Sequence, residues 1–197
     1  MRYPSAGSSA LSSPERFTYA DYKLWPEDER WELIDGIAYG MSPAPRRMHQ
    51  TLVLQLAAQL EKFFQGKPYR PHIAPVDVFW PNLASDDLND SETITQPDLF
   101  VVCDKSKLID EGIKGAPDFI IEVLSPKTAY RDQTEKRQLH ERHKVAEYWL
   151  VNPDTLEAMI YRYRNGEYGL PQAASLRQSV AVELFPGLSL IVRPEDL

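Results

Sequence analysis

The 197-residue chain is short of several things, and each shortage excludes a class of protein. It has one cysteine, Cys103, so no internal disulfide can form. Cys103 stands in an apolar run and reads as a small buried hydrophobe of a reducing compartment. No apolar run approaches the roughly 18 residues of a membrane span, and no secretory apolar region stands at the start. The expectation is a soluble, cytoplasmic protein with no membrane partner. Positive charge is also scarce: the formal net charge of −7 argues against a general nucleic-acid coat, whose surface is basic. Internal repeats are absent, and low complexity is confined to a Ser/Ala/Pro-rich start.

The remainder has globular composition, and its length suits one domain with a sizeable core better than two. Residues 1–16 read as a disordered tail, and 17–197 as a single domain. Thr18 is a plausible N-cap for a short helix carrying Tyr19, Tyr22 and Leu24. Asp35-Gly36 is a two-residue turn signal inside Trp31 to Tyr39, which predicts a hairpin. Arg46 to Gln65 predicts the clearest helix, with Leu52, Leu56 and Leu60 on one stripe and Gly66 as its stop. His49, near its beginning, reads as a cap or surface residue.

Tyr69 to Trp80 is expected as one strand, and Pro81 to Thr95 as a long acidic, mobile loop. Leu99 to Cys103 and Phe119 to Leu124 read as buried strands, with Asp104 to Gly115 between them as a loop or short helix. Thr128 to His143 is expected to be helical, and Glu147 to Val151 a strand. Glu157 to Arg164 and Glu167 to Leu170 should form a hairpin across Asn165-Gly166. Val180 to Val192 is strand-like around Pro186-Gly187. The order predicts a mixed α/β domain.

Chemistry concentrates in Pro117 to Lys136. Glu122 lies inside an apolar strand, where a carboxylate is costly unless a cation, a metal or hydrogen bonds compensate it. Asp98 stands at the edge of the preceding strand. If the two strands are neighbours, both acids reach one hard cation, with the Val123 carbonyl beside them. Asp132, Lys136 and His140 follow at i, i+4 spacing on one helix face. Lys136 is placed to hold an attacking water or to neutralise charge developing on a phosphoryl group. Asp132 would favour its charged form, and Asp77 is a weaker ligand candidate. Charge is unevenly spread: Asp77 to Asp98 carries six acids and no base, whereas Lys127 to Lys144 carries six bases against three acids. Lys127, Arg131 and Arg137 on that basic stretch are candidates for holding a polyanion. The plainer reading is a solvated helix and an acidic loop.

Glu32-Leu33-Ile34-Asp35-Gly36, the His49 helix, Gln96-Pro97-Asp98, Pro117-Asp118, Ile121 to Pro126, Asp132 with Lys136, and Glu147 to Val151 occur in one order. Together they resemble the Uma2 family of restriction-endonuclease-like proteins, within the PD-(D/E)XK nuclease superfamily. The resemblance spans about Phe17 to Leu190. It implies a restriction-endonuclease-like fold, a central mixed sheet flanked by helices, and Mg²⁺- or Mn²⁺-dependent DNA cleavage. Under it, Asp98 matches the PD acid and Glu122 the (D/E)XK acid. The superfamily lysine would stand two residues after that acid, where this chain has Leu124. The resemblance therefore implies that Lys136 on the following helix supplies it, as the polarising base. Glu32 matches an acid approaching the metal from the N-terminal region, or else it pairs with Arg30 or a neighbouring base. A homodimer is expected for cutting both strands. A catalytically inactive DNA-binding or interaction protein on the same scaffold is the alternative, and a carboxylate-pair glycosidase is the weaker third.

Overall fold

The computed structural model describes residues 4, 15–41, 45–82 and 84–197. Apart from Pro4, Glu15 and Arg16, the expected tail lies outside them. Thr18 opens α1 (Tyr19–Tyr22), and its backbone N–H donates to the Asp21 carboxylate at 3.1 Å. The next hairpin is β1 (Trp31–Ile34) and β2 (Ile37–Gly40). Asp35 and Gly36 turn it with φ of 49° and 76°, the left-handed pair that matches strand twist. Helix α2 (Arg47–Phe64) follows. Then come β3 (Arg70–Ile73), β4 (Val78–Phe79), β5 (Ile94–Thr95), β6 (Leu99–Val102), β7 (Leu108–Ile109), β8 (Gly112–Lys114) and β9 (Phe119–Val123). Two short helices, α3 (Ala129–Arg131) and α4 (Arg137–Arg142), are joined by a π-helical turn over Asp132–Lys136. The chain closes with β10 (Glu147–Val151), β11 (Glu157–Arg162), β12 (Gln172–Ser175), β13 (Val180–Ala181) and β14 (Ser189–Leu190).

The mixed α+β class holds, with the strands in two six-stranded sheets and a two-stranded β13–β14 sheet. The larger runs β12-β11-β10-β9-β6-β3, and the smaller β2-β1-β5-β4-β8-β7. In the larger sheet β9 and β10 are parallel, a pairing that requires a crossover. The α3–α4 segment supplies it. Alternation along the strands gives this sheet two faces. Leu99, Val101, Phe119, Ile121, Trp149 and Val151 pack with Leu52, Leu56, Leu60 and Phe64 of α2. Each such buried side chain contributes roughly 1.5–3 kcal/mol. Phe100, Ile120, Tyr148 and Leu150 face the other way, onto Leu139 of α4 and Val78 and Ile113 of the smaller sheet. Phe17, Trp25, Leu33, Phe79 and Ile94 close a further cluster around the smaller sheet.

Several segments depart from expectation for tertiary reasons. Tyr69 to Trp80 is two strands, because the chain leaves the larger sheet at the cis Ala74–Pro75 bond and enters the smaller one at Val78. Asp104 to Gly115 contains the β7–β8 hairpin, whose β8 pairs in parallel with β4. The strand pairing back onto β11 is Gln172–Ser175, beyond the Asn165-Gly166 turn and later than Glu167 to Leu170. Pro81 to Thr95 includes β5 and a hydrogen-bonded turn in which Asp87 accepts from the Asn89 N–H at 2.9 Å.

Candidate active site

Register brings the two strand acids together. β6 and β9 are antiparallel with Leu99 opposite Ile121 and Phe100 opposite Ile120, so one step further sets Asp98 against Glu122. Both share the face of Phe100 and Ile120, which looks toward the smaller sheet and the crossover helix. The Asp98 backbone N–H donates to Glu122 Oε2 at 3.0 Å, and the Val123 N–H donates to Asp98 Oδ2 at 2.9 Å. In a strand the N–H and C=O of one residue point to the same side. The Val123 carbonyl is therefore turned toward the Asp98 edge.

The other partners come from elsewhere in the fold. Lys136, in the π turn, places Nζ 2.8 Å from Glu122 Oε1, 2.9 Å from Glu32 Oε1 and 3.6 Å from Asp132 Oδ1. Glu32 reaches in from β1 of the smaller sheet. It also accepts the Gln96 N–H at 2.9 Å and lies 3.6 Å from Arg131 Nη1. It makes no pair with Arg30, which instead donates through Nε and Nη2 to Gln96 Oε1. Gln96 Nε2 in turn donates to Asp77 at 2.8 Å, so Asp77 sits behind Gln96 rather than beside Glu122. The π turn is itself tied down, since the buried Tyr148 hydroxyl donates to the Asp132 carbonyl at 3.0 Å.

These groups floor a cleft of about 580 Å³, walled in part by Arg30, Arg46, Lys127 and Arg131. Lys127 is exposed at the cleft, and Arg131 stacks its guanidinium 4.2 Å from the Tyr39 ring. Arg137 lies outside the cleft walls, 3.3 Å from Glu141 and over the Tyr161 ring. His140 is wholly buried, stacked on Trp80 at 5.1 Å, and contributes nothing to the cleft.

The electrostatics are those of a site short of positive charge. Burial pushes Glu122 well above the usual carboxylate range; Lys136 opposes this, and Asp98, Asp132 and Glu32 reinforce it. Burial raises Asp132 too, against Lys136. Burial alone would depress Lys136, but Glu122, Glu32 and Asp132 outweigh it and hold the ammonium well above its ordinary value. The three carboxylates thus favour the ammonium form of Lys136. Four carboxylates (Asp98, Glu122, Glu32, Asp132) face Lys136 and Arg131, and the buried Asp132 Oδ1 has no hydrogen-bond partner.

That donor set fits a hard divalent cation. Asp98 lines the cleft, its Oδ1 accepts no hydrogen bond among the described residues, and oxygen is the ligand atom such ions take. Among the described residues no group of three or more His, Cys, Asp or Glu side chains is arranged to hold a metal ion by itself. The fit is therefore to an ion that keeps several waters and takes one or two carboxylates, as Mg²⁺ does.

His49 is the residue that sequence reasoning misplaced. It is buried, and its Nε2 lies 3.1 Å from Asp98 Oδ2. A signal was present: positions 49, 52, 53, 56 and 60 form one helical stripe, which puts His49 on the core side of α2. Gln96 was visible only as part of a motif.

Among solved structures the fold matches the crystal structure of "a putative nuclease belonging to DUF820 from Anabaena variabilis ATCC 29413". The TM-score is 0.65 at 19% identity, over 85% of this chain and 90% of that one. The fold is therefore a nuclease-like α+β fold. The chain belongs to the Uma2 family, described as "Putative restriction endonuclease", whose sequence model matches residues 19–193. No curated protein matches the sequence. Among the described residues no helix is long and apolar enough to cross a membrane.

Proposed function

We propose that the chain is a Mg²⁺- or Mn²⁺-dependent DNA endonuclease, a hydrolase of phosphodiester bonds. The observation that carries this reading is the Asp98–Glu122 pair, set opposite each other on adjacent strands with Lys136 2.8 Å from Glu122. Asp98, the Val123 carbonyl and Glu122 would hold the ion. When bound, the ion would polarise the phosphoryl oxygen and lower the pKa of a water. Lys136 acts as an ammonium: it keeps Glu122 and Glu32 in place and offsets negative charge that grows on the phosphoryl group. Glu32 orients Lys136 from the opposite side. Lys127 and Arg131 are placed to meet phosphates entering the cleft, and Arg137 would take part only by contacting DNA outside it. Cutting both strands of a duplex calls for two copies, hence a homodimer. A cytoplasmic setting fits the single free Cys103.

A second reading, an inactive DNA-binding protein on a nuclease scaffold, draws on one observation. Both Glu122 oxygens are satisfied within the protein, by Lys136 and by the Asp98 N–H. Mn²⁺ titration calorimetry and plasmid nicking, run on the wild type, Asp98→Ala and Glu122→Ala, separate the two. The enzyme reading expects wild-type binding and nicking, both lost in the variants. Metal-independent DNA binding with no nicking in any protein would establish the second.

A further inference from the structure

We infer that His49 is a positioning residue, holding the Asp98 carboxylate in the orientation that presents its free oxygen to a divalent cation. This rests on the nuclease reading above. A carboxylate only accepts, so the contact between His49 Nε2 and Asp98 Oδ2 at 3.1 Å requires the proton on Nε2. The same Oδ2 accepts the Val123 N–H at 2.9 Å, so two donors converge on one oxygen. Among the described residues Oδ1 receives none, and Asp98 belongs to the cleft wall. The arrangement divides the carboxylate: one oxygen is clamped by protein, and the other is left for a ligand.

The ring is held rigidly enough to serve as the clamp. His49 lies in the first turn of α2, which is anchored through Leu52, Leu56, Leu60 and Phe64, all 0% exposed. Its Nδ1 is buried without a hydrogen-bond partner, so the polar contacts of the imidazole lie on the Nε2 side, to the Asp98 carboxylate and beside the Val123 backbone. An aliphatic side chain would fill that place without leaving a polar atom unpaired. Asp98 is the site acid most in need of such a clamp, because its side chain is 22% exposed whereas that of Glu122 is 4% exposed. If the contact served only to tie α2 to the larger sheet, its loss would change stability and nothing else.

The test is Mn²⁺ binding by calorimetry, with thermal melting in parallel, for the wild type, Asp98→Ala, His49→Phe, His49→Gln and His49→Asn. The Gln amide nitrogen reaches the position of Nε2, whereas that of Asn matches Nδ1 and falls short of Asp98. Expected is a 10- to 100-fold loss of affinity in His49→Phe and His49→Asn, with His49→Gln within about threefold of wild type, the range seen when outer partners of metal ligands are removed. If His49→Phe fails to fold, the Gln and Asn pair carries the same contrast. Wild-type affinity in His49→Phe or His49→Asn, with Asp98→Ala inactive in binding, overturns the positioning role and leaves the nuclease site standing. Equal losses in Gln and Asn that follow their melting temperatures also overturn it, in favour of a structural tie. A changed preference between Mg²⁺ and Mn²⁺ in the variants overturns it in favour of direct ligation by the imidazole. No Mn²⁺ uptake by the wild type overturns both readings together.

Discussion

Replacing Lys136 by methionine keeps most of the stem and removes the charge that three buried carboxylates share. Glu122, Glu32 and Asp132 are 3%, 2% and 2% exposed, and the ammonium lies within 2.8 to 3.6 Å of each. Removing one partner of a buried ion pair costs about 3–5 kcal/mol, because the remaining charge stays desolvated. Set against a total stability of roughly 5–15 kcal/mol, Lys136→Met should be folded but far weaker at pH 7.5. The cost should depend on pH in a definite direction. Burial already holds Glu122 and Asp132 above their unfolded values of about 4, and without the ammonium nothing opposes that rise, so the folded state binds more protons. Stability is then full below about pH 4 and is lost as pH rises through the folded values. Between those limits each titrating carboxyl changes stability by about 1.4 kcal/mol per pH unit. Urea unfolding of wild type and variant at pH 5.5, 6.5 and 7.5, followed by the fluorescence of buried Trp80 and Trp149, measures the difference. A penalty that narrows toward pH 5.5 supports the charged cluster. A penalty below about 1 kcal/mol, or one flat with pH, would refute it, since neither is compatible with losing the cation of a buried cluster.

His140 tests the interior on the acid side. It is fully buried, and burial first, then Lys136 and His143, hold it well below its ordinary value. Its contribution is complete above about pH 6.5 and is lost as pH falls through the depressed folded value, so His140→Phe should flatten the acid limb of a urea-midpoint profile by about 1.4 kcal/mol per pH unit. An unchanged profile would place His140 in contact with water. Gly112→Ala should destabilise by more than about 1 kcal/mol, because strain adds to the positive-φ cost. Its φ is 151°, and a Cβ there would stand 2.2 Å from the Asp77 carbonyl oxygen. Gly66→Ala, at φ 77° with nothing within 4 Å, should cost about 1 kcal/mol or less in the same melts.

What was legible in the sequence followed local rules. Asp35-Gly36 announced its hairpin, the leucine stripe announced α2, and an acid inside Phe119 to Leu124 announced the site. Asp132 and Lys136 were readable as one helical face, although the π turn that carries them was not. The pairing of Asp98 with Glu122 needed only that β6 and β9 be neighbours. What was hidden depends on contacts distant in sequence. The division of Tyr69 to Trp80 between two sheets has no local mark beyond Pro75. The β7–β8 hairpin is too short to show a period, and its burial is supplied by β4. Gln96 bridges Arg30 and Asp77 across 66 and 19 residues, and Glu32 meets Lys136 only after two sheets dock.

That docking has a consequence for when the chemistry exists at all. A lysine two residues after the acid would ride on the same strand as Glu122, but position 124 is a leucine and the charge arrives on the crossover instead. Glu32 comes from one sheet, Asp98 and Glu122 from the other, and Lys136 from the segment joining β9 to β10. No single segment holds more than part of the machinery. During synthesis or refolding, a chain with only its larger sheet formed has Asp98, Glu122 and the Lys136 crossover without Glu32, and one with only its smaller sheet has a lone Glu32. The candidate site is therefore complete only once both sheets have formed and docked.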